Sequence, residues 1–133
     1  MDSCIIQQTS HATHNGTKGF PEIVGMLTSA GVEYYFVDYA AMATTFYGEG
    51  CVVNSPIPYE DMPTIADDLQ VDEVRAAILD SQRHGQSHRD FSRRVMVAGV
   101  QGYFAFLRGQ RITYLGRQGD QHTEWFPGAG PSK

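Results

Sequence analysis

The chain has 133 residues, 41% of them hydrophobic and 19% charged, enough for one globular domain with its own core. Ten Lys and Arg against fifteen Asp and Glu leave a formal charge of −5, the wrong sign for a surface built to neutralise phosphates. No apolar run approaches the roughly 20 residues of a membrane helix, and Met1-Asp2-Ser3-Cys4 lacks the basic-then-apolar start of a secretory leader, so a soluble cytoplasmic protein without a membrane partner is expected. Cys4 and Cys51 match no zinc or redox spacing and are expected to be ordinary reduced thiols.

A helix is expected from Ser3 to about His14, capped by Asp2 or Ser3 and ended by Asn15-Gly16. A second begins at Phe20-Pro21, sets Phe20, Ile23, Val24, Leu27 and Ala30 on one face that is expected to be core, and stops before Gly31. β-Branched and aromatic residues then mark two strands, Glu33 to Tyr39 and Met42 to Tyr47, joined near Ala40-Ala41. Gly48 to Gln70, with Pro56, Pro58 and Pro63, reads as a long loop holding at most a short strand at Cys51-Val52-Val53. A third helix from about Val71 to His84 turns Val74, Ala77 and Ile78 inward. A fourth opens at Ser87, spaced from Asp90 like a capping pair, and buries Phe91, Val95 and Ala98. Strands follow at Gly102 to Leu107, Arg111 to Leu115 and Gln121 to Phe126, the first two joined by a two-residue turn at Gly109-Gln110. Residues 1–127 thus read as a single α+β domain and 128–133 as a flexible C-terminal tail.

Ala30-Gly31-Val32-Glu33-Tyr34-Tyr35-Phe36 and Ala98-Gly99-Val100-Gln101-Gly102-Tyr103-Phe104 align at an offset of 68, and the same offset pairs Thr45 with Thr113 and Gly48 with Gly116. Seven of nineteen aligned positions are identical, where average usage gives about one. The expected architecture is therefore an antiparallel sheet of five to six strands with helices on one face, built from two repeated helix-hairpin halves around a pseudo-twofold axis. Consecutive Tyr34-Tyr35-Phe36 and Tyr103-Phe104 place bulky groups on both faces of that sheet. A face left uncovered by helices or by the 48–70 loop would suit a ligand or a second subunit.

The segments Phe20-Pro21, Ala30-Gly31-Val32, Val37-Asp38-Tyr39, Thr44-Thr45-Phe46-Tyr47, Gly102-Tyr103, Tyr114-Leu115-Gly116-Arg117, His122 and Phe126-Pro127 together resemble the YdfO-like family of small bacterial proteins, a domain of unknown function sometimes labelled phage envelope protein. The resemblance runs from about His11 to Pro127. It implies an α+β fold and carries over no activity and no catalytic residue.

For chemistry, Asp38 lies between Val37 and Tyr39 in a strand expected to be largely buried, which makes it the best acid/base candidate. His122 and Glu124 share one face of the last strand and are its candidate partners. The expected ligand-binding residues are Tyr35, Tyr39, Thr45, Tyr103, Thr113 and Arg117. His11 and His14 are weak metal candidates at i, i+3, without a third ligand. Arg83, Arg89, Arg93 and Arg94 form a basic stripe that could meet phosphate, although nucleic acid is not the expected partner. No phosphate loop, nucleophile elbow or CxxC pair appears, so no cofactor is expected. The leading expectation is a non-enzymatic binding or regulatory module for a small molecule or protein partner, including a homodimer. The alternatives are a small acid/base or hydrolytic enzyme using Asp38 with His122 or Glu124 and, more weakly, nucleic-acid binding through Arg83 to Arg94.

Overall fold

The computed structural model describes residues 1–130. Asp2 caps α1 (Ser3–Asn15) by accepting the Ile5 N–H at 3.1 Å, and Gly16 ends that helix at φ 68°. The helix α2 (Phe20–Ser29) carries Pro21 in its first turn, where a missing N–H costs nothing. Three strands follow, β1 (Tyr34–Asp38), β2 (Ala43–Gly48) and β3 (Cys51–Pro56). Beyond the connecting segment 57–70 come α3 (Val71–Arg83) and α4 (His88–Val97), the latter capped by Ser87, which accepts the Asp90 N–H at 3.0 Å. The chain closes on β4 (Val100–Phe106), β5 (Arg111–Gly116) and β6 (Gln121–Trp125). All six strands form one antiparallel sheet in the order β3-β2-β1-β4-β5-β6.

The 68-residue offset reaches further than the sequence identity suggested. Adding it to the bounds of α1, α2 and β2 gives the bounds of α3, α4 and β5, and it carries β1 into β4 and β3 to within two residues of β6. The chain is thus two helix-helix-meander halves whose innermost strands, β1 and β4, pair at the centre of the sheet. The equivalence extends to backbone conformation. Gly31 and Gly99 turn from helix to strand at φ 92° and 96°, a region open to glycine and costly for other residues.

Two expectations need correction. The strand at Cys51-Val52-Val53 runs on to Pro56 and completes a three-stranded meander, its hairpin made by Glu49 and Gly50, both at positive φ. Proline is tolerated there because β3 is an edge strand that needs no donor on its outer side. The turn at Gly109-Gln110 is a four-residue loop, Leu107 to Gln110, because Phe106 pairs with Arg111; its left-handed residue is Gln110, matched by Met42 in the first half. Of the expected tail, 131–133 lie outside the described residues, and at its start the Ala129 N–H donates to the Phe126 carbonyl.

Alternation along the strands sorts side chains between two environments. Tyr35, Val37, Phe46, Tyr103, Ala105 and Tyr114 point to one side and form a single core with Ile6, Ile23, Leu27, Val74, Val95 and Met96 of the four helices. The connecting segment lies on this side too, with Ile57 buried and Met62, Ile65 and Leu69 packed against the same core. Tyr34, Phe36, Tyr47, Phe104 and Phe106 point to the other side, outside that core and half-buried.

Candidate binding face

Five rings occupy the centre of the helix-free face and touch one another. Tyr34 stacks on its register partner Tyr47 at 4.8 Å and 15°, Phe104 on Phe106 at 5.5 Å and 13°, and Phe36 meets Phe104 at 4.5 Å. Gly102 makes room for this packing, since a Cβ there would meet the Phe36 ring and the Val37 carbonyl. Polar pairs flank the rings on either side. Asn54 Nδ2 donates to Thr45 Oγ1 at 3.0 Å across β3 and β2, and the Thr113 and Thr123 hydroxyls lie 3.0 Å apart across β5 and β6. At one end, against the β4–β5 loop, a groove of about 480 Å³ is bounded by Tyr34, Phe106, Arg108, Arg111, Thr113 and Thr123.

Of the expected ligand residues, Thr45 and Thr113 lie on this face. Tyr35, Tyr39 and Tyr103 do not join them. They are buried on the helix side at 7%, 2% and 5% exposure, where desolvation pushes all three phenol pKa values up. The Tyr39 hydroxyl donates to Ser92 Oγ at 2.9 Å. Arg117, beyond β5, pairs with Asp67 and donates to the Ile65 carbonyl at 3.1 Å, tying down the connecting segment.

The acid/base candidates are not brought together. Asp38 is half-buried rather than buried and caps the β1–β2 loop, its Oδ1 accepting the N–H groups of Ala40 and Ala41 and the Gln101 amide. His122 and Glu124 do meet each other at 2.8 Å, with Arg75 3.5 Å from Glu124, on the helix side of β6. Asp38 therefore lies across the sheet from them and three strand spacings away, about 14 Å. His11 Nε2 meets the Asn15 amide at 2.9 Å and His14 sets an edge against Tyr59; among the described residues no group of three potential metal ligands converges. Three of the four arginines of the basic stripe are engaged within the chain, Arg89 with the Glu60 carbonyl, Arg93 with the Asp61 carbonyl and Arg94 with Asp80. Cys4 and Cys51 are free and exposed.

Sequence reasoning gave no role to His88, whose ring is half-buried at the start of α4. Its Nδ1 lies 2.8 Å from the Tyr59 hydroxyl and its Nε2 3.1 Å from that of Tyr103. Burial, with a smaller contribution from His14, lowers its pKa to about 4. A neutral imidazole has one donor and one acceptor nitrogen, so one tyrosine donates to it and the other accepts. His88 thereby joins the connecting segment to the core. Its only sequence signal was its place just after the Ser87 cap.

Fold and face together define a two-layer α+β protein with internal twofold symmetry and one aromatic sheet face that none of its four helices covers. No helix among the described residues is long and apolar enough to cross a membrane. No protein-family model matches the chain, and no curated protein matches it.

Proposed function

We propose that the chain is a non-enzymatic binding module that takes a small molecule on its aromatic sheet face. The observation that carries this reading is the set of five contacting rings on a face from which all four helices and the connecting segment are absent. A monomer keeps such rings together and half-exposed at a cost in solvation that a ligand removes. The size of the face favours a small molecule over a second protein. Five strand spacings by about five residues give about 24 Å by 17 Å, roughly 400 Å², about half of what one partner contributes to a standard protein interface. Two exposed free thiols fit a reducing, cytoplasmic setting. The YdfO-like resemblance supplies no activity to set against this reading.

Native mass spectrometry of freshly purified protein tests it. The expected spectrum is a monomer carrying a small-molecule adduct that is lost in Phe104→Ala. A bare dimer that dissociates in Phe104→Ala would overturn the proposal, because the face would then be a subunit interface.

A further inference from the structure

The two halves share a backbone plan, yet they differ chemically at one end of the aromatic face. The 68-residue offset sets Arg108 against Ala40, Arg111 against Ala43, and Phe106 against Asp38. Around the β1–β2 loop the equivalent positions are thus small or taken up in capping, since the Asp38 carboxylate is spent on Ala40, Ala41 and Gln101. Around the β4–β5 loop they form the groove. Its floor is aromatic, Tyr34 and Phe106 with ring centroids 5.9 Å apart. Its rim is cationic. The Arg111 guanidinium lies 4.3 Å from the Trp125 ring centroid, a stacking that fixes the group, and it has no carboxylate partner among the described residues. Arg108 pairs with Glu33 at 3.3 Å and is otherwise exposed. Two cations against one carboxylate stand out in a chain of net charge −5, and Thr113 and Thr123 add hydroxyls beside them.

From this one-sided chemistry we infer that the groove binds a planar aromatic carboxylate, its ring system on Tyr34 and Phe106 and its anionic group at Arg111 and Arg108. The inference rests on the small-molecule reading above and names the ligand class. A guanidinium fork matches a carboxylate in shape as well as charge, flat rings suit the aromatic floor, and about 480 Å³ lies within the range of small-molecule sites.

The probes are 2-naphthoate and its uncharged isostere 2-naphthamide, titrated into the full chain by calorimetry. Trp125 is the only tryptophan, so its indole N–H resonance reports where binding occurs. The expected result is that 2-naphthoate binds at least tenfold more tightly than 2-naphthamide and shifts the Trp125 signal. Arg111→Gln and Arg108→Gln should each erase most of that preference, and the distant Arg83→Gln should leave it intact. Equal binding of both probes, insensitive to Arg111 and Arg108, would overturn the anion inference and leave the small-molecule reading standing. Absence of heat and of any Trp125 shift with either probe would overturn the ligand class inferred here, while the small-molecule reading stands or falls by the native mass spectrum.

Discussion

Phe36 and Phe104 are opposite one another in the β1–β4 register, and they are also equivalent positions under the 68-residue offset. Both conditions hold together only where a twofold axis passes between the pair, so these two rings, 4.5 Å apart, mark the centre of the molecule. Because β1 and β4 carry the contact between the halves, the rings contribute to stability as well as to the exposed face.

Phe36→Ala and Phe104→Ala are each expected to destabilise the fold by about 2 kcal/mol, less than for a fully buried ring, since both are half-buried. The double variant should lose about 1 kcal/mol less than the sum, reflecting the ring pair itself. Urea unfolding of the four chains closes the cycle; strict additivity would show that the rings do not interact.

Stability should fall in mild acid because of His88. Its folded pKa, about 4, lies below the ~6.5 of a free imidazole. Between those values the unfolded chain binds a proton that the folded one refuses, so this contribution is intact above about pH 7 and declines as pH drops, by about 2 kcal/mol at pH 5. His88→Phe removes the titrating group and should flatten that part of the pH profile, although it strands the Tyr59 and Tyr103 hydroxyls and lowers stability throughout. Urea midpoints at pH 7 and pH 5 for both chains decide the matter, and parallel profiles would dismiss it.

Gly31 and Gly99 share a conformation and should differ in their tolerance of alanine. A Cβ at Gly99 would overlap the Asp68 carbonyl, which is backbone; at Gly31 it would meet the Glu49 carboxylate, the end of a flexible side chain that can swing aside. Gly31→Ala is expected to cost about 1 kcal/mol, mostly from its positive φ, and Gly99→Ala about 3 kcal/mol or more. Thermal unfolding that ranks the two the other way would contradict this account of the repeat junctions.

Much of this architecture was legible because it is written locally. Asp2 and Ser87 announce helix starts, Gly16 and Gly31 announce stops, and the Ala-Gly-Val repeat exposes the duplication without any knowledge of pairing. Only the first half of β3, Cys51 to Val53, was legible, because Asn54 and Pro56 break the usual strand composition, which only an edge position permits. The binding face was anticipated as a kind of surface, yet its membership was mixed: Tyr35 and Tyr103 were grouped with Thr45 and Thr113, although register places them on opposite sides. Arg108 and Arg111 escaped notice because their companions Tyr34 and Trp125 come beside them only through the strand order. The offset that revealed the duplication would also have revealed them, as charged positions facing Ala40 and Ala43.

Arg117→Ala should leave ligand binding unchanged and reduce stability by less than about 1 kcal/mol. The side chain is about half exposed, its pairing with Asp67 is solvent-screened, and it contacts the connecting segment rather than the aromatic face. A tenfold loss of 2-naphthoate affinity in this variant would return Arg117 to the binding surface.

Continuity of the chain has a consequence for how such a face can specialise. If each half were a separate, identical subunit, any substitution would appear at both ends of the sheet, and an arginine gained at one loop would be gained at the other. Covalent linkage through residues 57–70 frees each half to vary alone. The β4–β5 end can carry two arginines while the β1–β2 end keeps alanines and the capping carboxylate of Asp38, so a symmetric framework presents a directional surface on which a bound molecule has a head and a tail.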